Sequence, residues 1–255
     1  MAASPIQQKD LIASLGRGLA IIEAFDDENP RMTASEVAAR SGMNRTAARR
    51  YLLSLCHFGY ASHDGQVFWL NPRVLRLGQS YLLSARLPRL ASPYLERLAA
   101  QTDATASLAV LDGHDIIYLT RSGAGQVPNA AFQVGARVPA HVVSAGIAIL
   151  AAMPPDEFDA WLAGHDFVTF TRHTMTDATA LRAEVARARA DGHAVLSEQL
   201  ELGFHGLGVA LRNRRGECVG ALSLTASTRR LSPDALLEAG LEPLRAAESG
   251  LRGLM

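Results

Sequence analysis

Residues 33–70 have the sequence TASEVAARSGMNRTAARRYLLSLCHFGYASHDGQVFWL, which predicts two short helices followed by a hairpin. Thr33 and Glu36 form a capping box, in which each side chain accepts a hydrogen bond from the other residue's free backbone amide. Gly42 suits the turn after the first helix, because glycine tolerates the positive φ of a helix C-terminus. Asn44 is a strong N-cap residue and predicts a second helix over residues 45–58.

The second predicted helix has an apolar face and a basic face. Its apolar positions recur at helical spacing and are expected to be buried: Ala48, Tyr51, Leu55 and Phe58. Its opposite face carries Arg45, Thr46, Arg49 and Arg50. No acidic residue occurs between Arg40 and Phe58, so this face is positively charged. A basic helix that follows a glycine turn is typical of a helix-turn-helix, whose second helix enters the major groove of DNA.

A hairpin follows the basic helix and completes the pattern of a winged helix-turn-helix. Residues 60–62 and 67–70 are predicted strands, and the Asp64-Gly65 pair between them favours a tight turn. Arginines on an exposed helix face are more often plain solvated surface, but their place on this helix favours DNA binding. We expect base contacts from Arg45, Thr46 and Arg49, backbone contacts from Arg50, His63 and Gln66, and a capping role for Asn44.

Composition limits the class of protein. The 255 residues carry a formal net charge of zero, so DNA binding has to depend on a local basic surface. Cys56 and Cys218 lie far apart in the sequence, which argues against a disulfide framework. The first ten residues do not resemble a signal peptide, and no apolar run is long enough to span a membrane. We therefore expect a cytoplasmic protein without a membrane partner.

The chain is predicted to have three parts: a winged helix-turn-helix over residues 1–72, a linker and dimerisation helix over 73–87, and an effector-binding domain over 88–255. The first part includes a helix over residues 11–25 with apolar Leu15, Leu19, Ile22 and Phe25. Asn71 and Pro72 predict the start of the linker helix, and Pro88 is expected to interrupt the chain before the next one.

The third part mixes strands and helices. Strands are predicted over residues 104–111, 116–120, 195–200, 206–211 and 219–226, with a short extended piece over 130–134 and a loop over 122–126. Helices are predicted over residues 90–101, 141–153, 156–163, 179–191 and 233–251. This order predicts an α+β fold in which helices flank an antiparallel sheet.

Motifs for catalysis and metal binding are weak in this sequence. Ser144 lies in VVSAG, which lacks the first glycine of a nucleophile elbow. The histidines show no His-x-x-x-His spacing and the cysteines no Cys-x-x-Cys pair, so we predict no catalytic residue, metal or cofactor. Ser144 near a helix start, with Ser223 and Thr225 on one face of a strand, indicates a site for a small anion. The alternative for each hydroxyl is a local hydrogen bond to the backbone.

Several motifs give the chain a resemblance to the IclR family of bacterial transcriptional regulators over almost its whole length. They are residues 14–20 (SLGRGLA), 34–42 (ASEVAARSG), 75–78 (LRLG), 135–146 (GARVPAHVVSAG) and 198–206. Residues 44–52 (NRTAARRYL) look most like the branch that regulates aromatic-acid catabolism. The resemblance implies a dimer or tetramer that binds a palindromic double-stranded operator and responds to a small effector.

The resemblance also implies where the effector lies. Matching by motif places the pocket at Ser144, Ala145, Leu196, Phe204, Gly206, Ser223 and Thr225. Many relatives have a lysine where this chain has Ile147, and some have a cysteine where it has Gly206. Both departures argue against a polar keto acid and against a metal in the pocket.

An aromatic carboxylate is the effector that the remaining residues favour. Phe132 and Phe204 are suited to stack on a flat ring, and Arg121, His141 or His205 to meet a carboxylate or phenol group. We expect a regulator of aromatic-acid catabolism that senses 4-hydroxybenzoate or protocatechuate. The alternatives are a regulator that senses a keto acid or muconate, and an enzyme acting on an aromatic acid that has kept a DNA-binding domain.

Overall fold

The computed structural model describes residues 10–123 and 130–255, so most of the loop predicted over 122–126 lies outside the described residues. The chain divides between Tyr81 and Leu82 into an amino-terminal and a carboxy-terminal compact unit.

The amino-terminal unit is a winged helix-turn-helix. Its elements are α1 (Ala13–Glu23), β1 (Met32–Thr33), α2 (Ala34–Arg40), α3 (Arg45–His57), β2 (Ala61–His63) and β3 (Val67–Leu70). The three strands form an antiparallel sheet in the order β1-β3-β2. Ile21, Val37, Leu52 and Phe68 are buried at its centre. The predicted architecture is confirmed, with β1 as an additional strand.

Local capping interactions form as the sequence predicts. The Thr33 amide donates to Glu36 Oε2 at 2.7 Å, and the Glu36 amide donates to Thr33 Oγ1 at 3.4 Å. Asn44 Oδ1 accepts from the Ala47 amide at 2.8 Å and begins α3. Gly42 has a φ of +67°, the left-handed conformation expected at that turn.

Two predicted buried faces are partly wrong. Ala48 and Leu52 are the buried residues of α3, whereas Phe58 is 60% exposed. The helix ends at His57, so Phe58 no longer follows its periodicity. In α1, Leu15 and Leu19 are exposed and Ile21 is buried. The side of α1 that meets the core is therefore displaced from the side that the apolar spacing indicates.

The connection between the two units consists of several short elements. A 3₁₀ turn (Pro72–Val74) leads into α4 (Leu75–Ser84), and Ala85 separates α4 from α5 (Arg86–Thr102). The Asn71 side chain does not cap a helix. Its Nδ2 donates instead to the Gly59 and Ala61 carbonyls. Pro88 lies in the first turn of α5, where a proline is tolerated, and does not interrupt the helix.

The carboxy-terminal unit is a sheet with helices on both faces. Its strands are β4 (Thr105–Asp112), β5 (Asp115–Ser122), β6 (Arg137–Pro139), β7 (Ala194–Ser197), β8 (Phe204–Arg212) and β9 (Cys218–Ser227). They pair antiparallel in the order β6-β5-β4-β9-β8-β7. Its further helices are α6 (Ser144–Ala152), α7 (Pro155–Ala163), α8 (Ala178–Asp191) and α9 (Pro233–Arg252). The α+β prediction is confirmed.

Two separate cores hold this unit together, one on each face of the sheet. Helices α6, α7 and α8 cover one face, and α5 and α9 cover the other. Residues 130–134 do not form the predicted extended piece, because Ala130–Phe132 is a 3₁₀ turn. The helix predicted from residue 141 begins only at Ser144, since Val143 is extended with φ −134° and ψ 144°. Ser144 is thus the first residue of α6.

Candidate functional site

The basic face of α3 is free on the surface of the amino-terminal unit. Asn44, Arg45, Thr46, Arg49 and Arg50 are all exposed. Over the described residues, the guanidinium groups of these three arginines form no ion pair or hydrogen bond with the protein. Their positive charge is therefore open to phosphates and base edges.

The tip of the wing is held by side chain to backbone hydrogen bonds. Asp64 Oδ1 accepts from the Gln66 and Val67 amides at 3.1 and 3.0 Å, which lowers the pKa of Asp64. Arg31 lies 3.3 Å from the same carboxylate and stacks over Trp69 at 4.0 Å. His63 and Gln66 are exposed beside this turn. The sequence interpretation did not include Arg31, which anchors the wing from the start of β1.

A narrow cavity opens in the carboxy-terminal unit between the start of α6, strands β8 and β9, and the segment after β7. Its volume is about 340 Å³ including the open mouth. The centre of a water-sized molecule has access to about 30 Å³ of this volume. The lining residues are Tyr118, Phe132, Val142, Val143, Ser144, Leu196, Glu198, Gln199, Leu200, Glu201, Phe204, His205, Gly206 and Thr225. We call this cavity the slot.

Three aromatic rings form one wall of this slot. The ring of Phe132 lies 6.1 Å from that of Tyr118 and 6.3 Å from that of Phe204, between centroids. Burial raises the pKa of Tyr118 well above its usual value, so its hydroxyl keeps its proton and remains a donor. The wall therefore combines apolar surface with one polar group.

Two glycines allow the start of α6 to lie directly against β8. A Cβ on Gly206 would lie 2.6 Å from Ser144 Oγ, and a Cβ on Gly208 would lie 2.5 Å from the Ser144 carbonyl oxygen. A side chain at either position would push Ser144 away. The absence of a cysteine at position 206 thus has a steric reason in this chain.

Small polar residues lie on the face of the sheet that α6 covers, and we call them the polar floor. The register places Thr225 opposite Gly206 and Thr105, and Ser223 opposite Gly208 and Ser107. Paired residues share a face of the sheet, so these hydroxyls lie on the side of α6. Over the described residues, Thr105 Oγ1 and Ser223 Oγ are buried without a hydrogen-bond partner. Such groups are costly to bury unless a ligand or water satisfies them.

Arg121 belongs to the same row of the sheet. It pairs with Ser107 on β4, and its Nη1 donates to the Phe132 carbonyl at 3.3 Å. The guanidinium therefore lies behind the aromatic wall and is half-buried, although Arg121 does not line the slot. It is a positive charge close to the site.

The structure brings together part of the predicted ligand site. The predicted residues that line the slot are Phe132, Ser144, Leu196, Phe204, His205, Gly206 and Thr225. Those that do not line it are Arg121, His141, Ala145 and Ser223, of which Ser223 belongs to the polar floor.

Burial lowers the pKa of both histidines proposed for the ligand carboxylate, which favours their neutral forms. His141 Nδ1 is hydrogen-bonded to His165 Nε2 at 2.9 Å, and its burial lowers its pKa to about 4. His205 pairs with Ala226 of the core under α5 and α9, so strand alternation directs its ring away from α6. Both histidines and Arg121 stay predictions as ligand contacts, and of the three only the arginine carries a positive charge at neutral pH as a rule.

Several residues of the slot were missed in the sequence. Tyr118 and residues 198–201 reach it only through the pairing of strands that are distant in the chain. Thr105 and Ser107 alternate along β4 as Ser223 and Thr225 do along β9, and that alternation is visible in the sequence.

Among the described residues, no cluster of three His, Cys, Asp or Glu side chains is arranged to hold a metal. None of their helices is long and apolar enough to cross a membrane.

Comparison with known proteins assigns the family. The model of the IclR C-terminal domain of bacterial transcriptional regulators matches residues 79–251, and the model of the IclR helix-turn-helix domain matches residues 14–65. The chain belongs to the IclR family. These family models and the curated relatives describe transcriptional regulators, so the enzyme alternative is set aside.

Relatives of this IclR-family chain match it over nearly its full length. It is 35% identical to the p-hydroxybenzoate hydroxylase transcriptional activator of Acinetobacter baylyi, over 100% of this chain and 96% of that one. A transcriptional regulator from Rhodococcus sp. RHA1 is 37% identical with a TM-score of 0.80, covering 95% of this chain and 98% of its own. An IclR homologue from Microbacterium hydrocarbonoxydans, complexed with 4-hydroxybenzoate, is 25% identical with a TM-score of 0.74, over 94% and 97%. The aromatic-acid branch predicted from the sequence is confirmed by such relatives.

Proposed function

We propose that this IclR-family regulator senses a hydroxybenzoate, such as 4-hydroxybenzoate or protocatechuate, and controls genes of aromatic-acid catabolism in the cytoplasm. One observation carries the proposal: three aromatic rings and the residues Ser144 and Thr225 line the slot. Beside Thr225 in the sheet, the buried hydroxyls of Thr105 and Ser223 have no partners among the described residues. The relatives support it, since one is a p-hydroxybenzoate hydroxylase transcriptional activator and another is complexed with 4-hydroxybenzoate.

The proposed binding mode follows from the chemistry of the two sides. The ligand ring packs against Phe132 and Phe204, where a flat aromatic surface gains most from stacking. The carboxylate faces Ser144 and Thr225 at the N-terminus of α6, whose free amides and dipole favour an anion. Arg121 lies behind the aromatic wall and does not line the slot, but its positive charge strengthens the preference for an acid over a neutral phenol.

In this proposal the protein is a symmetric oligomer, and its amino-terminal units bind DNA. Two copies of α3 enter successive major grooves of a palindromic operator, and the wings contact the flanking backbone. A dimer or tetramer has an apolar surface available, because Leu75 and Leu83 on α4 are each 74% exposed. A hydroxybenzoate shifts the balance between DNA-binding geometries by as much as its affinity differs between them.

Isothermal titration calorimetry on the full chain tests the effector. We expect saturable binding of 4-hydroxybenzoate or protocatechuate, and weaker or no binding of muconate and β-ketoadipate. Arg121→Gln should weaken hydroxybenzoate binding several-fold, because it removes a positive charge that lies close to the slot without lining it. The matched control is Arg137→Gln on neighbouring β6, whose guanidinium pairs with Asp112 and Asp115.

The results separate the candidates. Binding of muconate or the keto acid in place of both hydroxybenzoates would replace the proposed effector with the alternative one. Equal weakening by Arg121→Gln and Arg137→Gln would reject the role of Arg121 as the nearby cation.

A further inference from the structure

A second, larger recess lies on the carboxy-terminal unit where the ends of α6 and α8 meet β8 and α9. It offers about 290 Å³ to water-sized molecules, far more than the slot at the start of α6. Its floor is made of small residues that leave the space open: Ala148, Ala151, Ala152, Ala188, Gly192 and Ala210. Its rim carries Arg189, Arg212, Arg245 and Arg252, together with His193 and Glu248. We call it the arginine groove.

Two of the four arginines of the arginine groove have no carboxylate partner among the described residues. Glu248 is the one acidic residue of its lining, and it pairs with Arg252 at 2.7 Å. Arg245 lies 3.2 Å from the largely exposed Glu242. Arg189 and Arg212 have no carboxylate partner among the described residues, although Arg212 also borders a neighbouring recess that includes Glu157 and Glu217. In a chain of zero net charge, this concentration of arginines is a local feature.

Neutral backbone carbonyls fix the orientation of these arginines. Arg189 donates from Nε to the Ala151 carbonyl at 3.0 Å and from Nη2 to the Met153 carbonyl at 3.1 Å. Arg245 donates to the Asp191 carbonyl at 3.1 Å, and Arg212 to the Gly216 carbonyl at 2.8 Å. Arg189 and Arg245 bond carbonyls at the ends of α6 and α8, and Arg212 bonds a carbonyl in the turn between β8 and β9. Each guanidinium has five N–H donors, and these contacts use one or two of them. The remaining donors are held in place on the rim at little further entropic cost.

We propose that the arginine groove is a second ligand site, which binds a small organic or inorganic anion with two or more negative charges. Guanidinium forks match carboxylate and phosphate groups, and several forks around one recess favour a ligand with several such groups. A monocarboxylate such as a hydroxybenzoate gains from only one of them. The two sites therefore differ in chemistry: a flat acid at the start of α6, and a multivalent anion at its end.

Calorimetry on the purified full chain in chloride buffer tests the site, with citrate and pyrophosphate as probes and acetate as the monovalent control. We expect saturable binding of at least one multivalent probe and none of acetate at the same concentrations. Citrate alone would assign the site to carboxylates, pyrophosphate alone to phosphates, and both to multivalent anions in general. Each of these results supports the proposal.

Variants show whether the anion is in the groove. The double variant Arg189→Gln/Arg245→Gln should weaken binding more than about tenfold, because it removes two charge-assisted donors. The matched control is Arg97→Gln/Arg229→Gln, which removes two exposed arginines of the same unit outside the groove. Arg189→Lys should keep most of the affinity, since it keeps the charge while losing the fork.

Two results would overturn the proposal. One is the absence of saturable binding of both multivalent probes by the unmodified chain at up to about 10 mM, where a site of even millimolar affinity is largely filled. The other is equal weakening by the groove variant and by the control double variant, which would reduce the effect to overall charge. Circular dichroism at 222 nm checks that the variants fold. The single variants Arg189→Gln and Arg245→Gln, each expected to weaken binding, provide the reading if the double variant does not fold.

Discussion

At the scale of single residues, Gly206 leaves the space that the Ser144 side chain occupies in the proposed effector site. We expect Gly206→Ala to weaken hydroxybenzoate binding at least tenfold, because the new methyl group would lie 2.6 Å from Ser144 Oγ and push it out of place. Overpacking of this kind costs about 1–3 kcal/mol. Calorimetry on the variant measures the loss.

A second glycine variant serves as the control for this prediction. Gly16→Ala adds the same methyl group on α1, where a Cβ meets no atom within 4 Å. Its hydroxybenzoate affinity should equal that of the unmodified chain. An unchanged affinity in Gly206→Ala would show that the Ser144 hydroxyl does not touch the ligand.

Buried His141 gives the carboxy-terminal unit a pH-dependent stability. Its burial, and next the charge of His165, lower its pKa to about 4 from an ordinary 6.5. A depressed histidine pKa means that the unfolded chain takes up the proton first, so stability is complete above pH 6.5 and falls as the pH drops toward 4. Between pH 7.5 and 5.5 we expect a loss of about 1 kcal/mol in the free energy of unfolding.

Urea unfolding followed by Trp161 fluorescence, with Trp69 replaced by phenylalanine, measures this loss in the right unit. Trp161 stacks on His165 at 4.4 Å and reports the surroundings of the histidine pair. His141→Gln should flatten the pH dependence, whereas exposed His57→Gln should leave it unchanged. A slope that persists in His141→Gln would assign the effect to other groups.

At the scale of secondary-structure elements, the N-cap of α3 links folding to DNA binding. Asn44→Ala should destabilise the amino-terminal unit by about 1 kcal/mol, because it removes the acceptor of the Ala47 amide. Asn44→Asp keeps that acceptor and should keep the stability, but its negative charge should weaken DNA binding. Thermal unfolding and fluorescence anisotropy with operator DNA measure the two properties separately. Equal stability of the two variants would contradict the capping role.

Elements defined by local interactions were the predictable part of this fold. The capping box at Thr33, the cap at Asn44 and the Asp64-Gly65 turn each depend on residues within a few positions of one another. Buried faces depend on what packs against them, which explains why Phe58 was expected inside and is exposed. The three-residue strand β6 is too short to produce an alternation in the sequence.

The ligand site shows the same limit at the level of the sheet. Ser223 and Thr225 were recognised because two hydroxyls alternate on one strand. Their neighbours Thr105 and Ser107 show the same alternation, but only the register of β4 against β9 reveals that the two pairs share a floor. Tyr118 lines the slot because β5 pairs with β4, an interaction across distant parts of the chain.

At the scale of the whole molecule, the helix face proposed for DNA binding and the slot proposed for the effector belong to different compact units. Arg49→Ala should therefore weaken operator binding while the hydroxybenzoate affinity, measured without DNA, remains unchanged. Loss of one phosphate contact would also lower the salt dependence of DNA binding by about one unit of log K against log salt concentration. Loss of a base contact would instead relax the preference for the operator over unrelated DNA.

Arg97→Ala is the matched control, since it removes an exposed arginine from the other unit. Anisotropy titrations at several salt concentrations, on operator and unrelated DNA, distinguish a base contact from a phosphate contact at Arg49. If the ligand couples to DNA binding, operator DNA must alter the hydroxybenzoate affinity by the same factor as the ligand alters DNA affinity. A lower ligand affinity in DNA-free Arg49→Ala would contradict the separation of the two functions, because Arg49 and the slot belong to different units.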